Sequence, residues 1–216
     1  MYLDFLPILI FTIILYFSLG DDYIYTSQDA FSTWGEHIKW IYQNNKLWDK
    51  ASDLIYKKNI PGVPIYEYIF VSIFGFSEKN ITLSLHFLTF LSLSVAAKKL
   101  LKDKLDYLLL TPIIFIILPL FGYAFVDIMV DGLLASIVTL YTIMVFLFLN
   151  QKEKYYNLVL VSIFLVMIKP VSIWYLIFIP AFLSLSFLFF NKFYKKKIEF
   201  LHLFYITLLV LPALYV

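Results

Sequence analysis

Three charged residues, Asp29, Asp131 and Lys169, stand at the edges of apolar or amphipathic runs, where an ionised side chain caps a helix, anchors it, or reacts. Asp29 heads the stretch Asp29-Ala30-Phe31-Ser32-Thr33-Trp34-Gly35. The positive end of a helix there would keep its carboxylate ionised at neutral pH. A carboxylate so placed can take a proton from a hydroxyl or simply serve as the N-cap. Asp131 precedes a long apolar run and can cap it, orient a hydroxyl, or pair with Lys169. Lys169, beside Pro170, can hold a phosphate as a point charge or snorkel to lipid headgroups. All 17 basic residues are Lys, which excludes the bidentate guanidinium clamp on phosphate. With no Cys in the chain, disulfides, thiolate catalysis and Cys-based metal sites are excluded. His37, His86 and His202 are scattered, and no spacing such as His-x-x-x-His marks a metal site. The cofactor is therefore unknown, and a divalent metal stays open without being indicated.

These residues must be positioned by elements that live in lipid. The chain is 216 residues long, 62% hydrophobic and 20% aromatic, beyond what one aqueous core of this size can hide. The net charge of +2 is too small to point to nucleic acid. A bilayer core needs about 20 apolar residues per helical span. The sequence predicts an all-α membrane protein of about seven transmembrane helices, over residues 3–19, 81–97, 107–123, 132–149, 156–169, 172–190 and 199–216. All of them form one polytopic domain over residues 1–216. The first is read as an uncleaved span rather than a signal peptide, because its flank carries Asp4 and no Lys and lacks a small-residue cleavage site. Spans five and six meet at Lys169-Pro170, which predicts a tight hairpin.

Lysine placement orients the bundle. The short segments 98–104, 151–154 and 191–197 are Lys-rich, and each follows an even-numbered span. The positive-inside rule puts them, with the N-terminus, in the cytoplasm. Segments 20–80, 123–131 and 169–171 then lie outside, together with Asp21, Asp22, Asp29, Glu36, Asp49, Asp53, Glu67, Glu78, Asp127 and Asp131. The location expected is a bacterial cytoplasmic membrane.

The outer loop over 20–80 is too long for a plain connector and predicts structure of its own. Phe31, Trp34, Ile38, Ile41 and Tyr42 recur at helical spacing, with Ser32, Glu36, His37 and Lys39 between them. This predicts an amphipathic helix lying in the membrane interface, its Trp and Tyr at headgroup depth. Asn59-Ile60-Pro61-Gly62 breaks the pattern, and 63–76 resumes as a short apolar helix, re-entrant or interfacial. Trp34, Trp40 and Trp48 read as membrane anchors or as sugar platforms.

Four stretches together resemble the GT-C superfamily of polytopic glycosyltransferases, which use polyprenyl-phosphate-linked sugars. Asp29–Gly35 followed by Lys39 is similar to the Asp-Glu-Phe-Ser-His-Trp-Gly pattern of bacterial members. Asn59-Ile60-Pro61-Gly62-Val63-Pro64-Ile65-Tyr66-Glu67-Tyr68 is similar to a Tyr-Pro-Pro-Gly segment with an aromatic helix after it. Val130-Asp131-Gly132-Leu133-Leu134 resembles the opening of the family's fourth span, and Ile168-Lys169-Pro170 resembles its Ile-Lys-Pro-Thr-Gly. The departures are Ala30 in place of an acid, Thr33 in place of a His, and Asn59-Ile60-Pro61 in place of Tyr-Pro-Pro. Members run to more spans and a further C-terminal region, so the chain reads as a truncated or N-terminal portion.

The resemblance implies transfer of a sugar from a polyprenyl-phosphate donor to a cell-envelope glycan or lipid acceptor on the outer membrane face. It implies Asp29 as catalytic base, Lys169 on the donor phosphate, Asp131 orienting the acceptor, and Trp34 and Lys39 among the substrate-binding residues. The competing readings are a secondary transporter and a non-catalytic membrane subunit of a polysaccharide export or assembly system. A transporter would carry charge at mid-span, often in repeated halves, whereas the mid-span regions here hold almost none.

Overall fold

The computed structural model describes residues 5–25, 30–101, 106–108, 111 and 130–194. Among these every regular element is a helix: α1 (Leu6–Ser18), α2 (Gly35–Asn44, entered through a π-turn over Ala30–Trp34), α3 (Gly62–Phe74), α4 (Glu78–Leu100), α5 (Val130–Leu149), α6 (Tyr155–Ile168) and α7 (Ser172–Tyr194). The chain divides into two compact units, Met1–Ser136 and Ile137–Val216.

Among the described residues two helices, α4 and α5, are long and apolar enough to cross a membrane by length and composition. That is fewer than the seven spans expected. The segments 3–19, 156–169 and 172–190 do appear as the apolar helices α1, α6 and α7. The 13 residues of α1 rise only about 20 Å at 1.5 Å each, short of a hydrocarbon core of roughly 30 Å. With 14 residues, α6 falls short in the same way. The expected spans over 107–123 and 199–216 lie outside the described residues, apart from a few positions near the start of the first.

In the first unit α1 packs along α4, with Ile8, Phe11 and Leu15 set against Phe87, Phe90 and Leu91. Phe11 and Phe90 meet edge to face, ring centroids 6.0 Å apart. The opposite face of α1 leaves Leu9, Ile13, Ile14 and Phe17 exposed. The hydroxyls of Thr12 and Ser18 turn back onto the carbonyls of Ile8 and Ile14, so neither asks for an outside partner. The start of α4 is fixed by the Ser77 side chain, an N-cap accepting from the Asn80 amide at 3.1 Å. Its last turn carries Lys98 and Lys99, the charge that suits a helix C-terminus.

Between α1 and α4 the loop folds into a helical layer. α2 packs on α3, and α3 packs on α4. α2 ends at Asn45 in the left-handed region, φ 51°. α3 begins at Pro61-Gly62, where the sequence pattern breaks, and ends at Gly75, φ 92°. The amphipathic helix expected from Trp34, Ile38 and Ile41 is present, yet its apolar face is covered by protein: Ile38 and Ile41 are buried. Tyr42 stays exposed, its ring against Phe76 at 4.6 Å between centroids.

In the second unit α6 and α7 form a packed pair joined by the turn over 169–171. The Ser172 amide donates to the Lys169 carbonyl at 3.0 Å, closing the turn. Pro180 lies within α7.

Candidate functional site

The loop layer is tied down at both ends, which gives it a fixed relation to α4. At its start the Asp21 carboxylate accepts from the Lys79 ammonium at 2.8 Å, across 58 residues of sequence. Lys79 is otherwise buried and also sits over the Tyr16 ring, 4.0 Å from its centroid. The hydrogen bond and charge of Lys79 hold the Asp21 carboxyl below the usual carboxylate range. Beside this pair the Tyr25 amide donates to the Glu78 carboxylate at 2.6 Å. Further along, the Tyr66 hydroxyl of α3 donates to the Ser84 carbonyl of α4 at 3.0 Å.

His37 fastens the irregular part of the loop to α2. Its ring is buried, with Nδ1 on the Thr33 carbonyl and Nε2 on the Tyr56 carbonyl at 3.0 Å. Each ring nitrogen faces a carbonyl oxygen, and the one that carries the proton donates to its carbonyl. The Trp48 ring stands edge-on at 4.3 Å between centroids, and its indole N–H donates to the Lys57 carbonyl at 3.0 Å. Asp49 closes a small turn by accepting from the Ala51 amide and the Ser52 hydroxyl, which lowers its carboxyl pKa.

Glu67 is an ionisable group of the layer that burial perturbs. It is fully buried on α3, and among the described residues neither carboxylate oxygen has a hydrogen-bond partner. Burial pushes its carboxyl well above the usual carboxylate range. The neighbouring Tyr66 phenol is pushed up as well, by burial first and by Glu67 second.

The residues singled out in the sequence fare differently. Asp29 lies outside the described residues. Trp34 is buried at the foot of α2, its ring 6.4 Å from that of His37, so it is a packed residue of the layer. Lys39 is half-exposed on the far side of α2 and pairs with Glu36 at 3.6 Å. Asp131 sits exposed in the first turn of α5, within the first unit. Lys169 ends α6 with extended backbone, within the second. Among these five, Trp34 and Lys39 lie close together, Trp34 closing the π-turn and Lys39 on α2, one buried and the other half-exposed. Among the described residues no three His, Asp or Glu side chains converge to hold a metal ion.

Three residues that matter in the layer were not singled out by sequence. The sequence pattern counts His37 among the polar positions of its helix, and the structure buries it. Its spacing of three from Trp34 and four from Ile41 puts it on the apolar stripe, and that was the available signal. Glu67 is the lone acid inside an apolar, aromatic run, a pattern that marks a costly and purposeful charge. Lys79 had no comparable signal, because an adjacent Glu and Lys at a helix start usually stay solvated.

The second unit holds an apolar groove of about 700 Å³ on α5 and α7, lined by Thr142, Phe178, Ala181, Phe182 and Leu185 among others. Compared with known proteins, the chain matches no family model, no curated protein and no solved structure.

Proposed function

We propose that this chain is a membrane glycosyltransferase of GT-C type, moving a sugar from a polyprenyl-phosphate donor to an envelope glycan or lipid acceptor. The observation that carries the reading is the ordered loop layer between α1 and α4. It holds two of the resembling segments, Ala30–Gly35 and Asn59–Tyr68, in one packed layer, through the contacts of α2 with α3 and of α3 with α4. A catalytic wall needs that fixity, since small displacements of a reacting group lower rates steeply. In this reading the layer faces outward and the Lys-rich segments face the cytoplasm. The full set of spans includes the two segments over 107–123 and 199–216.

Transfer requires a base for the acceptor hydroxyl, a cation for the departing phosphate, and a slot for the lipid. Asp29, just ahead of the π-turn that opens α2, is the base. Lys169 is the phosphate cation, and Asp131 orients the acceptor. The apolar groove along α7 suits the hydrocarbon of the donor. The test is an in vitro transfer assay on the purified chain with a panel of polyprenyl-phosphate sugars. Asp29→Asn is expected to abolish transfer while insertion and abundance hold. Undiminished transfer in that variant removes Asp29 from the role of base.

A further inference from the structure

A carboxylate inside protein is stable as the anion only when a cation or several donors surround it. Glu67 has neither. It is fully buried on α3, which packs on α2 and α4, and among the described residues both oxygens lack a partner. The ionisable side chains on the two packed elements are otherwise engaged or remote. On α2, Glu36 and Lys39 pair with each other, and His37 is spent on the carbonyls of Thr33 and Tyr56. On α4, Lys79 serves Asp21, Glu78 accepts from the Tyr25 amide, His86 meets the Thr82 carbonyl, and Lys98 and Lys99 lie in the last turn. On α3 itself Tyr66 is bonded to Ser84, and Tyr68 to Asn45.

We propose that Glu67 is a proton-binding site: the acid keeps its proton at neutral pH, and losing it unseats α3 from α2 and α4. The neutral carboxyl fits an apolar interior at modest cost, whereas the anion does not. Once α3 opens, Glu67 meets water and titrates near the ordinary value of 4.5. The closed layer binds one more proton than the open one, so raising the pH favours opening. The gain is about tenfold in the opening equilibrium per pH unit above that value, until the closed form also ionises. The proton is therefore a ligand of the loop layer, and its occupancy sets how firmly the layer is docked. This inference does not rest on the glycosyltransferase reading and survives its failure.

The chain has no Cys, so single thiols can be introduced cleanly. Val71 is buried on α3 and Ser72 beside it is exposed. The full chain in nanodiscs, as Val71→Cys or Ser72→Cys, is labelled with a charged methanethiosulfonate reagent between pH 6 and 9. The Ser72→Cys rate corrects for thiol ionisation. The expected result is a corrected Val71→Cys rate that climbs steeply with pH, and a flat profile once Glu67→Gln is added. Equal pH profiles with and without Glu67→Gln overturn the proposal. So does a Glu67→Gln background that labels faster at every pH, because that outcome means the anion was holding α3 in place. Should Glu67→Gln fail to fold, the wild-type background still decides: a corrected rate independent of pH overturns the proposal.

Discussion

Replacing His37 by Phe keeps a ring against Trp48 while removing both nitrogen contacts. The loss can be sized from the structure. Two hydrogen bonds go, each contributing about 1 kcal/mol net, and the Tyr56 carbonyl is left without its ring partner, adding about 1–2 kcal/mol. The Thr33 carbonyl sits in a helical turn, so its share is at the low end. The total, about 2–4 kcal/mol, raises the population of undocked loop by roughly 30-fold to nearly a thousandfold. Trypsin reads this directly. Lys57 follows Tyr56, its carbonyl accepts from the Trp48 indole, and its ammonium donates to the Lys50 carbonyl at 2.8 Å. Cleavage after Lys57 and Lys58 in the solubilised His37→Phe variant should accelerate by a similar factor, with the segments of α4 and α5 protected as before. An unchanged rate would refute the idea that His37 fastens the loop, and would mean that Trp48 alone carries the docking.

Other outcomes follow from the same contacts. Tyr66→Phe removes one part-buried hydrogen bond between α3 and α4 and should lower denaturation stability in detergent by about 0.5–1.5 kcal/mol, with no change in helix content by circular dichroism. The Asp21–Lys79 pair is favoured when Asp21 is ionised, and its carboxyl pKa is depressed in the folded chain. Its contribution is thus present above the ordinary carboxylate pKa and lost as pH falls through the lowered one. Melting curves at acid pH should show a weaker acid loss in Lys79→Met than in wild type. Lys169→Ala should weaken binding of a polyprenyl-phosphate donor in a direct binding titration, and unchanged affinity would remove Lys169 from the phosphate role.

Much of the architecture was legible because hydropathy over long runs is a strong signal. The bounds of α4, α5 and α6 fall within a few residues of the apolar segments, and Asn59–Gly62 marks the break before α3. The number of crossings was less legible. Apolar composition alone does not separate a full span from the shorter helices α1 and α6. The loop layer differs from the sequence expectation in one respect. An amphipathic face looks the same whether lipid or protein covers it, and here Ile38 and Ile41 of α2 are buried by protein, with α3 packed alongside. For the candidate site the sequence offered single residues, without showing which of them converge. Trp34 showed on the helix-spaced apolar stripe and Lys39 among the polar positions between, and the structure buries the first and pairs the second with Glu36. The contacts that pin the layer, Asp21 to Lys79 and Tyr66 to Ser84, join positions 58 and 18 residues apart, and no local pattern announces them.

The most direct measurement is sugar transfer by the purified chain in proteoliposomes, supplied with polyprenyl-phosphate sugars and an acceptor, comparing wild type with Asp29→Asn at matched abundance. The account predicts glycosylated product from wild type with at least one donor, and none from Asp29→Asn. Equal product from the two proteins, or no product from wild type with any donor in the panel, would contradict it.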